Sequence, residues 1–348
     1  MAQDYNFEEY LKRALSNSIS SQNPSENAKN NARKLSPSYY DDLKEKLLNQ
    51  YDNKSLKEVM YCKVCSSSFG DVLRITKKEK IDFNIENNNF KNQMNHNLKL
   101  LPRVGIKTEE NLKNKGYTTI ESLKNHDKYG DVASKFLENI DKMSFCEIID
   151  LLDNNKYSKK CRDNVLRSIS LTDEENFKFM DIETKGLSNV PIILIGVAEI
   201  KGDNIVASQY FLRDYTEEAN IIDAYLNHLD EDSVHVTFNG KTFDVPFIKN
   251  RCIYNRINAD LDLPHLDLMY FAKNLWQDKL PNCQLQTIEK ELFGLERVGD
   301  VPGQYIPGYY DTYLKEDNIG PVVPIIEHNA QDIISLASFL DKMYGDVN

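Results

Sequence analysis

The chain has 348 residues, of which 41% are hydrophobic, and it carries a formal net charge of -11 at pH 7. This length allows two domains with hydrophobic cores of their own. No apolar run approaches the roughly 18 residues that a membrane helix requires, and the N-terminus lacks the basic-then-apolar pattern of a signal peptide. We therefore expect a cytoplasmic protein with no membrane partner.

The six cysteines are few and widely spaced, which favours reduced thiols and no disulfides. Cys62 and Cys65 have the spacing of half a zinc site, but no second close pair of Cys or His follows to complete four ligands. The alternative is that both are half-buried thiols in a strand. Nothing in the sequence indicates the oligomeric state.

Charge is distributed unevenly along the chain. Residues 1–175 carry 29 Lys and Arg against 27 Asp and Glu, whereas residues 176–348 carry 14 against 27. The acidic half disfavours a nucleic-acid partner, because phosphates bind cationic side chains. Divalent ions held by acidic residues would supply the missing attraction locally.

The first half of the chain is mostly helical in pattern. Helical patterns at 7–15 and 38–51 flank a polar stretch at 16–34, which predicts no fixed structure. Strand patterns at 59–75 and 81–85 predict a hairpin joined through Lys77 to Lys80, and helical periodicity returns at 132–169. We therefore divide the chain into a helical, partly disordered region (1–60), a strand pair with a helical domain (61–175) and a third domain (176–348).

Residues 98–124, LKLLPRVGIKTEENLKNKGYTTIESLK, predict a helix end near Pro102, a turn, and a second helix capped by Thr108 and ended by Gly116. The segment resembles the helix-hairpin-helix motif, whose turn presents backbone N–H groups to a nucleic-acid phosphate. This resemblance implies that Gly105 and Lys107 contact nucleic acid. The usual turn has glycines two residues apart, and the first of these positions holds arginine here. The alternative is an ordinary pair of helices packed for stability.

The most informative stretch is FKFMDIETKGL at residues 177–187. Its apolar residues predict a strand, in which Asp181 and Glu183 lie on the same face because alternate side chains share a face. Two carboxylates at a strand end are the oxygen ligands that Mg²⁺ binds. The alternative is a chance pair on a solvated surface, since the chain contains 54 Asp and Glu.

Further strands and a helix follow this stretch. Residues 191–200 form a nearly continuous apolar run, 205–212 predict a third strand, Thr216 is expected to cap a helix, and 234–238 predict a fourth strand. Three strands, a helix and a strand is the order of the ribonuclease-H-like fold. We expect an α/β fold with a mixed sheet, preceded by a smaller, mostly helical domain.

A third carboxylate follows the fourth strand. Gly240 allows a tight turn there, and Asp244 then falls at the start of the next predicted helix, 245–256, near the end of the first strand. The alternative is that Asp244 only caps this helix.

The last predicted helix, 322–343, carries His328 and Asp332 four residues apart on one face, within an apolar stripe. Metal coordination would explain a charged residue in that stripe, because unpaired buried charge is costly. Alternatively, His328 covers the core and Asp332 reaches solvent.

These carboxylates resemble, in order, the motifs of the DEDD exonuclease superfamily. The second motif, Asn followed by three residues, an aromatic residue and Asp, is similar to residues 239–244. A narrower resemblance, to the YprB-type ribonuclease-H-like family, covers most of 177–343. It rests on the blocks HVTFNGKTFDVPFIKNRC, HLDLMYFAKNLW, LPNCQLQTIEKELFGLER, DVPGQYIPGYYDTYL and EHNAQDIISLASFL.

The resemblance implies a metal-dependent 3′-5′ exonuclease that hydrolyses phosphodiester bonds at a single-stranded DNA or RNA end, using two Mg²⁺ or Mn²⁺ ions. It implies metal ligands at Asp181, Glu183, Asp244 and Asp332, a general base at His328, and substrate contacts at Asn239 and Lys241. The alternatives are a non-catalytic nucleic-acid-binding module and a structure-specific endonuclease on the same fold.

The position of the general base departs from the superfamily pattern. In DEDD enzymes a Tyr lies four residues before the last Asp, or a His lies five residues before it. This chain has His328 four residues before Asp332.

Overall fold

The computed structural model describes residues 37–85, 90–140, 142–154 and 162–348. Its strands form one mixed sheet in the spatial order β1-β2-β5-β4-β3-β6-β7. The strands are β1 Cys62–Ser67, β2 Gly70–Lys80, β3 Phe177–Thr184, β4 Ile192–Lys201, β5 Asn204–Phe211, β6 Val234–Thr237 and β7 His265–Asp267. The predicted α/β class with a mixed sheet is confirmed.

The helices within those ranges cover both faces of the sheet. In chain order they are α1 Pro37–Gln50, α2 Leu56–Val59, α3 Phe90–Met94, α4 Ile106–Asn114, α5 Gly130–Ile140, α6 Phe145–Asn154, α7 Arg162–Ser168, α8 Glu218–Leu226, α9 Asp244–Tyr254, α10 Leu268–Trp276, α11 Leu285–Phe293, α12 Ile306–Glu316 and α13 Val323–Val347. The helix predicted at 38–51 is confirmed as α1. The patterns at 7–15 and 16–34 lie outside the described residues. None of the helices described here is both long and apolar enough to span a membrane.

The centre of the sheet has the predicted order of strands. β3, β4 and β5 are antiparallel neighbours, and β6 and β7 continue the sheet parallel to β3. α8 connects β5 to β6, so the predicted order of three strands, a helix and a strand is confirmed. Asp214, rather than Thr216, provides the capping side chain before α8, because its carboxylate accepts from the N–H of Thr216 at 2.9 Å.

The strand hairpin differs from the prediction. β1 and β2 join through Ser68 and Phe69, whereas Lys77 to Lys80 lie within β2, and residues 81–85 form neither strand nor helix. β2 pairs antiparallel with β5 along most of its length. One sheet therefore joins strands from the predicted regions 61–175 and 176–348. Pairing with a distant strand extends β2 through its run of lysines, and a local pattern does not carry that information. Cys62 and Cys65 are half-buried free thiols in β1.

Two apolar cores cover the two faces of the sheet. Side chains alternate along β3 between these two cores. Phe179 lies in the core formed with α3 to α7, α10 and most of α13. Met180 and Ile182 lie in the core formed with α1, α8, α9 and α12. Asp181 and Glu183 continue the face of Phe179. The two predicted metal ligands therefore lie on the side of the sheet that α13 crosses.

The predicted helix-hairpin-helix segment has a defined turn before α4. The helix starts at Ile106 with Gly105 at the N-cap position, three residues before the predicted cap, Thr108. Arg103 has a φ of 64°, the left-handed region that favours glycine. Buried Glu109 accepts from the N–H of Leu98 at 3.1 Å, which ties α4 to the short 3₁₀ helix Leu98–Leu100. The arginine thus adopts a backbone conformation that favours glycine, at the position where the usual helix-hairpin-helix turn would have one.

Candidate active site

Asp181 and Glu183 lie at the carboxyl end of β3, beyond the part of the strand that pairs with β6. Asp181 is in register with Gly196 of β4, and the register shifts between Glu183 and Thr184. Glu183 is only 9% exposed and Asp181 is half-buried. The interpretation of a solvated surface pair is therefore wrong for these two carboxylates.

Asp244 is the first residue of α9, and Phe243 holds the N-cap position. The side chain of Asp244 is buried, and its Oδ1 accepts a hydrogen bond from the N–H of Ile182 at 3.1 Å. Ile182 stands between Asp181 and Glu183 in β3. The hydrogen bond therefore ties the start of α9 to the strand end that carries the two carboxylates.

His328 and Asp332 lie on the face of α13 that meets β3. The Nε2 atom of His328 is 3.5 Å from Oδ2 of Asp332 and 3.8 Å from Oε1 of Glu183. Asp332 is 9% exposed, so it does not reach solvent freely. The structure thus brings together the four predicted metal ligands and the predicted base.

Asn329 is a site residue that the sequence patterns did not single out. It is fully buried, and its Nδ2 donates to the backbone oxygen of Asp181 at 3.1 Å and to its Oδ2 at 2.9 Å. Gln209 of β5 donates to the other end of this amide at 2.9 Å. Gly196 makes the approach possible, because a β-carbon there would overlap the Asn329 amide. The signal in the sequence that could have identified Asn329 is a polar amide within the otherwise apolar pattern of the last helix.

Arg297, in the loop between α11 and α12, was also not predicted. It donates from Nε and Nη2 to the two carboxylate oxygens of Glu289 at 2.7 Å each. It also forms an ion pair with Asp332. Ser335 of α13 donates to Glu289 at 2.5 Å, so α11, the loop and α13 are fastened together beside the site.

Asp300 lies in the same loop and contacts His328. Its Oδ1 atom is 2.5 Å from Nδ1 of the imidazole, and its Oδ2 accepts from Gln286 at 2.7 Å. Arg297 and Asp300 stand in a polar loop without periodicity, so no local pattern marked them.

Burial raises the pKa of Asp181, and the charges of Asp244, Asp332 and Glu183 raise it further. Burial also raises the pKa of Glu183 to about 8, against the opposing charge of His328. The pKa of Asp244 rises to about 7 for the same reason, although backbone hydrogen bonds oppose it. Carboxylates that lie this close and this deep favour the binding of cations.

Burial lowers the pKa of His328, but the charge of Asp332, the hydrogen bond to Asp300 and the charge of Glu183 outweigh burial and raise that pKa to about 10. Burial raises the pKa of Asp300, whereas its bond to His328 and the charge of Arg297 have the larger combined effect and lower it. His328 and Asp300 therefore form a charged pair as long as no bound cation compensates the charges of Asp332 and Glu183.

The donor chemistry fits a divalent ion, because buried carboxylate oxygens are the ligands that Mg²⁺ and Mn²⁺ prefer. In the part of the chain that the structure describes, no Lys or Arg forms an ion pair with Asp181, Glu183 or Asp244. Within the same ranges, no three His, Cys, Asp or Glu side chains already form a metal-binding group. The Arg297 guanidinium forms an ion pair with one carboxylate oxygen of Asp332, which is one of the predicted ligands.

The turn between β6 and α9 holds Asn239 and Lys241, and both residues are exposed. Asn239 has a φ of 71°, and its side chain accepts from Thr242 at 2.9 Å. Asp267 accepts from the backbone N–H of Asn239 at 2.7 Å and of Lys241 at 3.2 Å. Asp267 therefore stabilises this turn, which leads directly to Asp244.

Gly105 and Lys107 lie apart from the strand end, at the N-terminus of α4 in the helical region. Lys107 is exposed, and Gly105 is half-buried. The structure places them at a helix start, although this helix begins earlier than the predicted cap at Thr108. Their contact with nucleic acid remains a prediction.

Comparison with known proteins identifies the class. Residues 178–344 match the family model of the RNase_H superfamily. Together with the sheet order, this match shows that this region of the chain belongs to the ribonuclease H superfamily, and its fold is nuclease-like.

A particular relative is the uncharacterized protein YprB of Bacillus subtilis (strain 168), to which the chain is 33% identical over 175 residues. The matched stretch covers 49% of this chain and 42% of YprB, so it is less than half of either protein. The resemblance to the YprB-type family is confirmed. The family model does not extend to the helix-hairpin-helix-like segment at 98–124.

Proposed function

We propose that the chain is a divalent-metal-dependent nuclease, and specifically a 3′-5′ exonuclease that shortens single-stranded DNA or RNA. The observation that supports it best is the meeting of Asp181, Glu183, Asp244 and Asp332, from β3, α9 and α13, at one strand end of a ribonuclease-H-like sheet.

The four carboxylates would hold two Mg²⁺ or Mn²⁺ ions. Such ions, when bound, activate water and stabilise the leaving oxygen of a phosphodiester. His328 faces the carboxylates through Nε2 and would take the proton of the attacking water, once bound cations offset the charges that raise its pKa. Asn239 and Lys241, on the turn before Asp244, would contact the substrate backbone.

A cavity of about 350 Å³ along α9, lined by Phe243 but not by the neighbouring Asp244, supports a single-stranded substrate. Its lining includes the rings of Phe243 and Tyr254 and the exposed side chain of Leu187. Aromatic and apolar walls suit an unstacked nucleobase, because bases stack on such side chains when a strand is not paired.

The turn before α4 would hold the strand backbone at a second place. Gly105 and Lys107 offer a helix N-terminus and a cation, and Arg103 has a positive φ at the position where the usual turn has a glycine. Lys107→Glu should weaken binding of single-stranded oligonucleotides regardless of sequence. It should also reduce the slope of log K against the logarithm of the salt concentration by about 1, which corresponds to one lost phosphate contact. Unchanged affinity and salt slope would remove this turn from the proposed interface.

The nuclease is tested with 5′-labelled single-stranded DNA and RNA in Mg²⁺ or Mn²⁺. We expect a ladder of shortened products, which disappears with a chelator and in Asp181→Asn. Asp262→Asn makes the same chemical change at an exposed aspartate paired with Lys249, and it should retain wild-type activity. If Asp181→Asn degrades the substrate as fast as wild type, the site assignment is wrong.

The Arg297–Asp332 ion pair favours a second candidate, a module that binds nucleic acid without cutting it. In that case the wild-type chain binds oligonucleotides but yields no product with any divalent ion. A circular single-stranded substrate separates the remaining alternative, because only an endonuclease cuts a molecule that has no end.

A further inference from the structure

We propose that Asp300 is the positioning residue of His328, holding the imidazole with its proton on Nδ1 so that Nε2 faces Glu183 and Asp332. This inference rests on the proposed nuclease function and names a part of the site that the superfamily motifs do not contain.

The contacts of one ring nitrogen support this assignment. Nδ1 of His328 lies 2.5 Å from the carboxylate of Asp300 and 3.2 Å from Nη1 of Arg297. A guanidinium only donates, so Nδ1 would have to carry a proton for Asp300 and lack one for Arg297. The shorter contact is to the carboxylate. The proton therefore lies between Nδ1 and Asp300, and Arg297 stands beside the pair as a cation.

Asp300 is itself held in place. Its second oxygen accepts from Gln286 of α11 at 2.7 Å, and the next residue, Val301, is fully buried. Arg297, three residues earlier in the loop, is fixed by two hydrogen bonds to buried Glu289. Both carboxylate oxygens of Asp300 are thus engaged, which suits a residue that orients a neighbour.

The consequence concerns the nitrogen on the other side of the ring. With the Nδ1 proton committed to Asp300, Nε2 is the position that accepts a proton, and it lies 3.5 Å from Asp332. A carboxylate behind a histidine selects the tautomer and the orientation of the ring in this way. Asp300 would therefore secure a histidine that stands four, not five, residues before the last aspartate.

The test uses the full chain and the variants Asp300→Asn, His328→Ala and the double variant, with Asp262→Asn as the matched control. Asp300→Asn should lower kcat on the order of 10- to 100-fold, as loss of an orienting partner does, with KM changed less than about 2-fold. The double variant should be no slower than His328→Ala, because the two residues act as a unit. Independent effects that multiply would overturn the proposal.

Two measurements do not depend on activity. In ¹⁵N-histidine-labelled protein, the Nδ1 proton of His328 should give a downfield resonance that is lost in Asp300→Asn; a resonance unchanged by the substitution refutes the contact. Calorimetric Mn²⁺ affinity should stay within about 2-fold of wild type. A drop of tenfold or more would show that Asp300 acts on the bound ions and would overturn the assignment of its role to His328.

Failure of the proposed function is distinguishable from failure of this inference. A wild-type chain that cuts nothing refutes the nuclease, while the resonance still decides the contact between Asp300 and His328. If Asp300→Asn does not fold, Gln286→Ala removes the bond to the second oxygen from an exposed position. It should lower kcat with Mn²⁺ affinity unchanged, and an unaltered kcat would count against the proposal.

Discussion

Replacing Arg297 with Met should destabilise the fold strongly, because it leaves a buried carboxylate without its partner. The side chain of Glu289 is 1% exposed and that of Arg297 is 11% exposed. Removing one member of a buried ion pair costs about 3–5 kcal/mol, since the remaining charge is left desolvated. Met keeps most of the volume of the arginine stem, so this cost comes from the lost charge and hydrogen bonds. We expect the free energy of unfolding to fall by about 3–5 kcal/mol.

The measurement is equilibrium unfolding in urea followed by circular dichroism, with protein treated with a chelator. The matched control is Arg213→Met, which breaks the ion pair to Glu217, four residues further along the chain, where the arginine is 32% exposed. Ion pairs between exposed side chains are worth about 0.2–1 kcal/mol. Adding Glu289→Gln to Arg297→Met should recover part of the loss, because the uncompensated charge is removed. A loss below about 1 kcal/mol for Arg297→Met would refute the description of Glu289 as a buried charge that depends on Arg297 for compensation.

Three further outcomes are expected. Without metal, the stability that Asp244 and Glu183 contribute should be fully present below their ordinary pKa values and should be lost as pH rises through about 7 to 8, because folding raises these pKa values from 3.8 and 4.5 to about 7 and about 8 and the folded state therefore binds more protons. Thermal midpoints from pH 5 to 8.5 measure this loss, and Asp244→Asn should reduce it. Mn²⁺ at about 100 times its Kd should raise the free energy of unfolding by about 2.7 kcal/mol, and a stabilisation that persists in Asp181→Asn would place the ion elsewhere. Gly196→Ala should cost about 1–3 kcal/mol by overpacking against the buried amide that holds Asp181, whereas Gly303→Ala, where a β-carbon meets no neighbour, should cost little.

The central elements of the fold could be predicted because their signals are local. Alternation along 177–184 places Asp181 and Glu183 on one face, and helical spacing places His328 and Asp332 on one face of α13. The hairpin could not be placed in the same way. Its second strand continues through lysines because it pairs with β5, more than a hundred residues away in the chain.

The same distinction between local signals and contacts across the chain applies to the residues of the site. By itself the sequence determined which carboxylates stand at strand ends and helix faces, and in what order, because these properties follow from backbone periodicity. Only the tertiary structure decided that a loop residue, Asp300, meets His328 and that Arg297 meets Asp332, across 28 and 35 residues of chain. A contact between a loop and a helix depends on how both pack against the sheet, and no spacing within either segment encodes that distance.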